Sequence, residues 1–188
     1  MSFRLISLAA ALEGSDEFHE ARLLVLIHVV APTAASEPIA GIMKLAKMDF
    51  LLRYPNVLAR ALEAVNAVKA SAARVAKQIT EDQKHTIEGR MVRFRFGPWD
   101  TRYRRWLVVL SSKGLVHVKK EGQTVRIGLT AKGELFSKRL SELPENEDLV
   151  TRAKMVRLAV GDMPATRLKN FVYQIMPEIV DMKWGETI

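Results

Sequence analysis

The sequence predicts a mainly α fold with one small β-wing, and three observations carry that expectation. Outside residues 91–135, apolar side chains recur at three- and four-residue spacing, the period of helices. Strand-like alternation is confined to that stretch. Within it, a short alternating run meets Gly97-Pro98, and a basic amphipathic helix follows that stops at Lys113-Gly114. Two β-rich runs then flank Glu121-Gly122, and Thr130 opens another helix. Helix, two-stranded wing and further helix in this order is the pattern of a winged-helix domain. The expected organisation is a winged-helix domain over residues 1–143 with a long helical insertion at about 55–90, and a C-terminal helical extension over 144–188.

Taken in order, residues 17–30 form a first helix, capped by Ser15 or Asp16 and ended by Pro32. A second helix over 39–53 places Ile42, Leu45, Ala46 and Phe50 on one side and stops before Pro55, which pushes Tyr54 out of α space. Pro55 then suits the first turn of a third, long helix. Leu58, Ala61, Val65, Val68, Ala72, Val75 and Ile79 alternate there by three and four, a heptad seam with no Gly or Pro. That seam packs either within the domain or against a coiled coil on another chain, with Val65, Val68 and Val75 as its partner-facing residues in the second case. Alanine at seam positions buries little area, so the helix alone would be a weak dimeriser.

Residues 80–89 read as a polar loop leading into a strand over 91–96, where Arg93 and Arg95 share a face. In the helix over about 100–113, Asp100 or Thr101 is the N-cap and Tyr103, Trp106, Leu107 and Leu110 form the buried stripe. Its opposite face carries Arg105, Val108, Val109 and Ser112. Strands over 115–119 and 124–129 follow, then a helix from 131 to about 143 capped by Thr130. An acidic linker leads to helices over 149–160 and from Pro164, the latter with Leu168, Phe171, Val172 and Ile175 inward. The last segment, EIVDMKWGETI, has no strong pattern.

Composition narrows the function. The chain has 188 residues, no cysteine and a net charge of +8. Disulfides, zinc fingers and thiol nucleophiles are therefore excluded. No apolar run reaches membrane-spanning length, and a cytoplasmic protein without membrane contact is expected. Residues 90–132 hold 11 Lys/Arg against 2 Asp/Glu, a net of +9, whereas the rest holds 18 against 19. The whole excess lies in the winged stretch, where Arg93, Arg95, Arg102, Arg104, Arg105, Lys119, Lys120 and Arg126 are the candidate phosphate contacts. Val108 and Val109, however, occupy the middle of the face that ought to read bases, and two β-branched apolar residues there suit a protein partner better. The basic residues read equally as a solvated charged face.

Catalytic signatures are missing. There is no GxxxxGK[ST] loop, no GxSxG elbow and no HExxH, and the four histidines show no ligand spacing. Asp181-Met-Lys183 is too short a pattern to carry a nuclease assignment. A non-enzymatic binding protein, with no metal or cofactor, is the expectation.

Several blocks resemble a known family. KLAKMDFLLRYP (44–55), EGRMVRFRFGPWDTRYRRWLVVLSSKGLV (88–116), LTAKGE (129–134) and ATRLKNFVYQIMPEI (165–179) look like the middle components of three-component antiphage defence systems built on an SMC-like ABC ATPase, the Lamassu type. The resemblance runs from about residue 20 to the C-terminus, and the 56–79 helix is longer than the family leads one to expect. It implies a non-catalytic adaptor subunit, partnered by an SMC-like ABC ATPase dimer and a nuclease-type effector. The heptad seam would then meet a coiled-coil neck, and contact with the backbone of double-stranded DNA stays open. The alternative, read from the charge alone, is a free-standing winged-helix transcription regulator.

Overall fold

The computed structural model describes residues 14–66, 71–84 and 89–188. The architecture is mainly α with two small antiparallel sheets. Its centre is α1, Asp16–Val30, opened by the Ser15 hydroxyl, which accepts the Phe18 amide at 3.3 Å. Leu23, Leu24, Val25, Leu26 and Ile27 are all buried, so α1 is covered on every side rather than along one stripe. The helices Tyr103–Ser112, Ala131–Ser141 and Glu147–Val160 pack around it.

Strand β1, Ile39–Ala40, and helix α2, Ile42–Arg53, are divided by Gly41 at φ +102°, a conformation that favours glycine. One helix was expected across 39–53; the chain instead spends Ile39 and Ala40 on pairing with a strand almost ninety residues later. Helix α3 is Pro55–Val65, followed by the short α4, Ala72–Ala76, and α5, Glu81–Lys84. The continuous helix expected over 56–79 is therefore not formed. It ends at Val65, and α4 folds back on α3, with the Asn66 side chain accepting the Ala73 amide at 3.2 Å. Leu58, Ala61, Val65, Ala72 and Ile79 face the chain's own core, and Val75 packs partly against it. The heptad spacing thus marks an internal seam. Val65 is spent inside, and Val68 lies outside the described residues.

Strands β2, Val92–Phe94, and β3, Gly97–Trp99, form a hairpin whose turn is Arg95-Phe96. Gly97 and Pro98, expected as the turn, stand within β3, with Gly97 at φ +113°. The C-terminal tail, which showed no pattern, joins β2. Arg93 donates its amide to Glu186 at 2.7 Å, and Ile188 donates to the Met91 carbonyl at 2.9 Å.

Helix α6, Tyr103–Ser112, leads to β4, Val116–Glu121, and β5, Thr124–Leu129. Gly122 at φ +59° makes the two-residue hairpin turn. The strand order is β1-β5-β4, so the first short strand completes a sheet begun by the hairpin. Helix α7, Ala131–Ser141, is capped by the Thr130 hydroxyl, which accepts the Gly133 amide at 2.9 Å. A 3-10 turn, Pro144–Asn146, gives way to α8, Glu147–Val160, α9, Ala165–Ile175, and α10, Glu178–Asp181. Leu149, Val156, Leu168 and Val172 join the same apolar cluster as Leu23, so the C-terminal extension is built into the common core.

Candidate functional site

The candidate site is the outer face of α6 together with the inner face of the β4–β5 hairpin. Its rigidity comes from below. Tyr103, Trp106, Leu107 and Leu110 are all but fully buried, as the spacing predicts. Trp106 also donates its indole N–H to Asp16 at 2.8 Å, tying α6 to the start of α1.

Beneath α6 lies an ion network centred on Asp49. Arg22 donates to both its carboxylate oxygens, at 2.7 and 3.2 Å. Arg53 donates at 2.9 Å and the Tyr103 hydroxyl at 2.6 Å. Arg53 extends to Asp100 at 3.1 Å, and Asp100 also accepts Arg102 at 3.0 and 2.9 Å. Burial works against the Asp49 charge, but the Arg22 and Arg53 guanidinium groups overcome it and hold this carboxyl well below the usual carboxylate range. Burial, and then the Asp49 charge, push the Tyr103 hydroxyl well above its ordinary value. Four side chains from three helices are thereby locked in one arrangement. Sequence reasoning missed this network; its one local signal is Asp49 and Arg53 at i, i+4, the only acid and the only arginine of that helix.

Above this base, the outer face of α6 carries Arg104, Val108, Ser111 and Ser112. In the hairpin, Val118 stands opposite Ile127 and Lys120 opposite Val125. Opposed residues share a face, so Val118, Lys120 and Val125 line up with the buried Val116 and Ile127 while reaching beyond the core. Between helix and hairpin runs an open groove of about 560 Å³, with Ile42, Leu107, Val108, Val118 and Val125 as its apolar lining and Arg104 at its edge. Val108 is 68% exposed and Val118 39%, unusual for β-branched residues with no contact to satisfy. Val109, expected on the same face, is half-buried and does not line the groove.

The predicted basic residues divide into two groups. Arg93 is buried, donating to the Ile179 carbonyl at 2.8 Å and lying 5.7 Å from the Tyr173 ring, so it fastens the C-terminal segment. Arg102 is held by Asp100, and Arg105 by Asp16 at 2.7 Å. Arg126 meets Glu121 at 3.1 Å on the far face of the hairpin. By contrast, Arg104, Lys119 and Lys120 are exposed and form no ion pair among the described residues. Arg95 is exposed in the β2–β3 turn, 5.3 Å from the Phe96 ring, and does not share a face with Arg93. Among the described residues, the uncompensated charge at the groove therefore reduces to Arg104 on one wall and Lys120 on the hairpin, while Lys119, opposite Arg126, lies on the far face.

Lys47 is also buried, 2% exposed, and its ammonium donates to the Met43 carbonyl at 3.2 Å. Burial first, and the nearby Lys169 charge second, push it down to about 8. Asp181 and Lys183 are exposed in the last turn and tail. Among the described residues no His/Asp/Glu cluster is placed to hold a metal ion, and no helix is long and apolar enough to cross a membrane. No family model matches the chain, and no characterised protein or solved structure matches it.

Proposed function

We propose that this chain is a non-catalytic winged-helix adaptor that docks onto an SMC-like ABC ATPase, alongside a nuclease-type effector, in a Lamassu-type antiphage complex. The observation that carries the docking role is the open apolar groove between α6 and the β4–β5 hairpin, floored by side chains that a rigid base holds in place. The winged-helix reading is supported by the element order. Helix α1, strand β1 and helix α2 come first; α6 and the hairpin follow; and β5 lies between β1 and β4 in the sheet. On this reading the insertion expected at about 55–90 falls between the second and third helices of the domain, α2 and α6. Exposed apolar surface rimmed by charge is what protein interfaces present, whereas base-reading faces present polar groups. The resemblance of the 44–55, 88–116, 129–134 and 165–179 blocks supplies the identity of the partners.

The test is co-expression with the product of each neighbouring gene, an SMC-like ATPase being expected among them. A stable complex containing both chains is expected; a chain that elutes alone with every neighbouring gene product refutes the adaptor.

A second reading, a free-standing DNA-binding regulator, is favoured by one observation: Arg104, Lys119 and Lys120 are exposed and carry charge with no ion-pair partner among the described residues. It predicts operator-specific binding that Arg104→Glu with Lys120→Glu abolishes. The adaptor predicts that binding to random and promoter duplexes is equal and falls together as salt is raised.

A further inference from the structure

Granting that this face docks a protein, we infer that the groove takes an amphipathic helix with an apolar stripe and an acidic flank. The cavity opens over the face of the hairpin, since Val118 and Val125 come from both strands, and not along the free backbone edge of β4. Its occupant is therefore met by side chains alone. An extended strand, which binds through main-chain hydrogen bonds to a sheet edge, gains nothing there; a helix laid in a groove does. Helix α6 has ten residues, about 15 Å, so three turns of a partner helix cover it.

Charge sets the flank. Arg104 stands on the helix wall, and Lys120 projects from the same hairpin face as Val118 and Val125. Neither has a carboxylate partner among the described residues, and no acidic side chain lines the cavity. The remaining polar group on the α6 wall beside Ser111, the Ser112 hydroxyl, is turned back to the Val109 carbonyl at 2.8 Å. A partner with carboxylates beside its apolar stripe meets both cations. A DNA duplex would press hydrated phosphates against Val108 and Val118, which offer no compensating hydrogen bond.

The probe is a designed helical peptide of three to four turns with leucines at i, i+3, i+4 and i+7 and glutamates flanking them. Controls are the same peptide with lysine flanks, a scramble of the glutamate peptide, and a short random-sequence duplex. Binding is read from methyl resonances of Val108, Val118 and Val125 in the full chain at physiological salt. Saturable shifts with the glutamate peptide alone are expected. Val108→Asp and Arg104→Glu with Lys120→Glu should each weaken binding at least tenfold while circular dichroism stays that of the wild type. Equal binding of the scramble or the lysine peptide, or methyl shifts with the duplex and none with the glutamate peptide, overturns the inference. If the ATPase complex forms and Val108→Asp breaks it while the glutamate peptide does not bind, the helical acidic occupant is wrong and the docking reading stands.

Discussion

Replacing Asp49 by asparagine removes one negative charge from the point where α1, α2 and α6 meet, and leaves two buried guanidinium groups behind. Arg22 and Arg53 are both fully buried, and Arg22 has Asp49 as its salt-bridge partner whereas Arg53 keeps Asp100. Stranding one member of a buried pair costs about 3–5 kcal/mol. For a chain of this size that is a drop in Tm of roughly 6–20 °C. Urea titration followed by far-UV circular dichroism measures it. The sign with pH is also fixed. Asp49 titrates lower in the folded protein than in the unfolded chain. Its contribution is therefore present in full above the unfolded value, near 4, and is lost as pH falls below it toward the depressed folded value. The gap between wild type and Asp49→Asn should be constant above about pH 5 and close below about pH 4. Replacing Arg22, Asp49 and Arg53 together by apolar residues of similar volume should recover much of the loss, because no charge is then stranded. A single Asp49→Asn variant within about 1 kcal/mol of wild type at pH 7 would refute the network's role.

Lys47→Met should stabilise the protein at pH 7 by up to about 3 kcal/mol, from a value lowered to about 8 against an ordinary 10.5. The folded pKa lies below the unfolded one, so the penalty on the charged lysine is complete below 8 and relieved between 8 and 10.5; paired denaturation curves should converge across that window. Gly133→Ala should destabilise by about 1–3 kcal/mol or more, since a methyl at that point of α7 runs into the Leu115 carbonyl, part of the backbone; an unchanged Tm would show that the close approach is absent. Val108→Asp, on an exposed position, should leave stability within about 0.5 kcal/mol of wild type. A larger loss would mean that Val108 is a core residue.

The parts of this fold that could be read from the sequence are those decided by neighbours along the chain. The caps at Ser15 and Thr130, and the stripe of Tyr103, Trp106, Leu107 and Leu110, depend on spacing within one helix and agree with the structure. The misreadings share a cause. Ile39–Ala40 is too short to alternate, and only its partner at Ile127 makes it a strand. The 56–79 seam has the period of one long helix, but the same apolar residues serve equally well when α4 folds back on α3, and periodicity cannot tell these apart. Arg95-Phe96 forms the turn that Gly97-Pro98 advertises, and a tail more than ninety residues distant pairs with β2 through backbone hydrogen bonds that no local pattern announces. At the candidate site, Val108 and Ser112 were visible on the outward face of α6, but Arg105 and Val109 were expected beside them where the structure places Arg104 and Ser111. The groove was not visible, for its other wall is set by the register of β4 on β5. Nor was the burial of Arg93 against the Ile179 carbonyl or the pairing of Arg105 with Asp16, groups far away in sequence, while Arg102 is paired with Asp100 two residues before it. Counting charge overstated the basic surface by including these.

The central claim is that the groove between α6 and the hairpin is where a partner protein binds. The most direct test is the affinity of the purified chain for the SMC-like ATPase proposed as its partner, wild type against Val108→Asp, at physiological salt. A central contact of this kind should cost about 2 kcal/mol or more, a weakening of roughly thirtyfold, with the fold intact. Equal affinity of the two chains for the ATPase would contradict it.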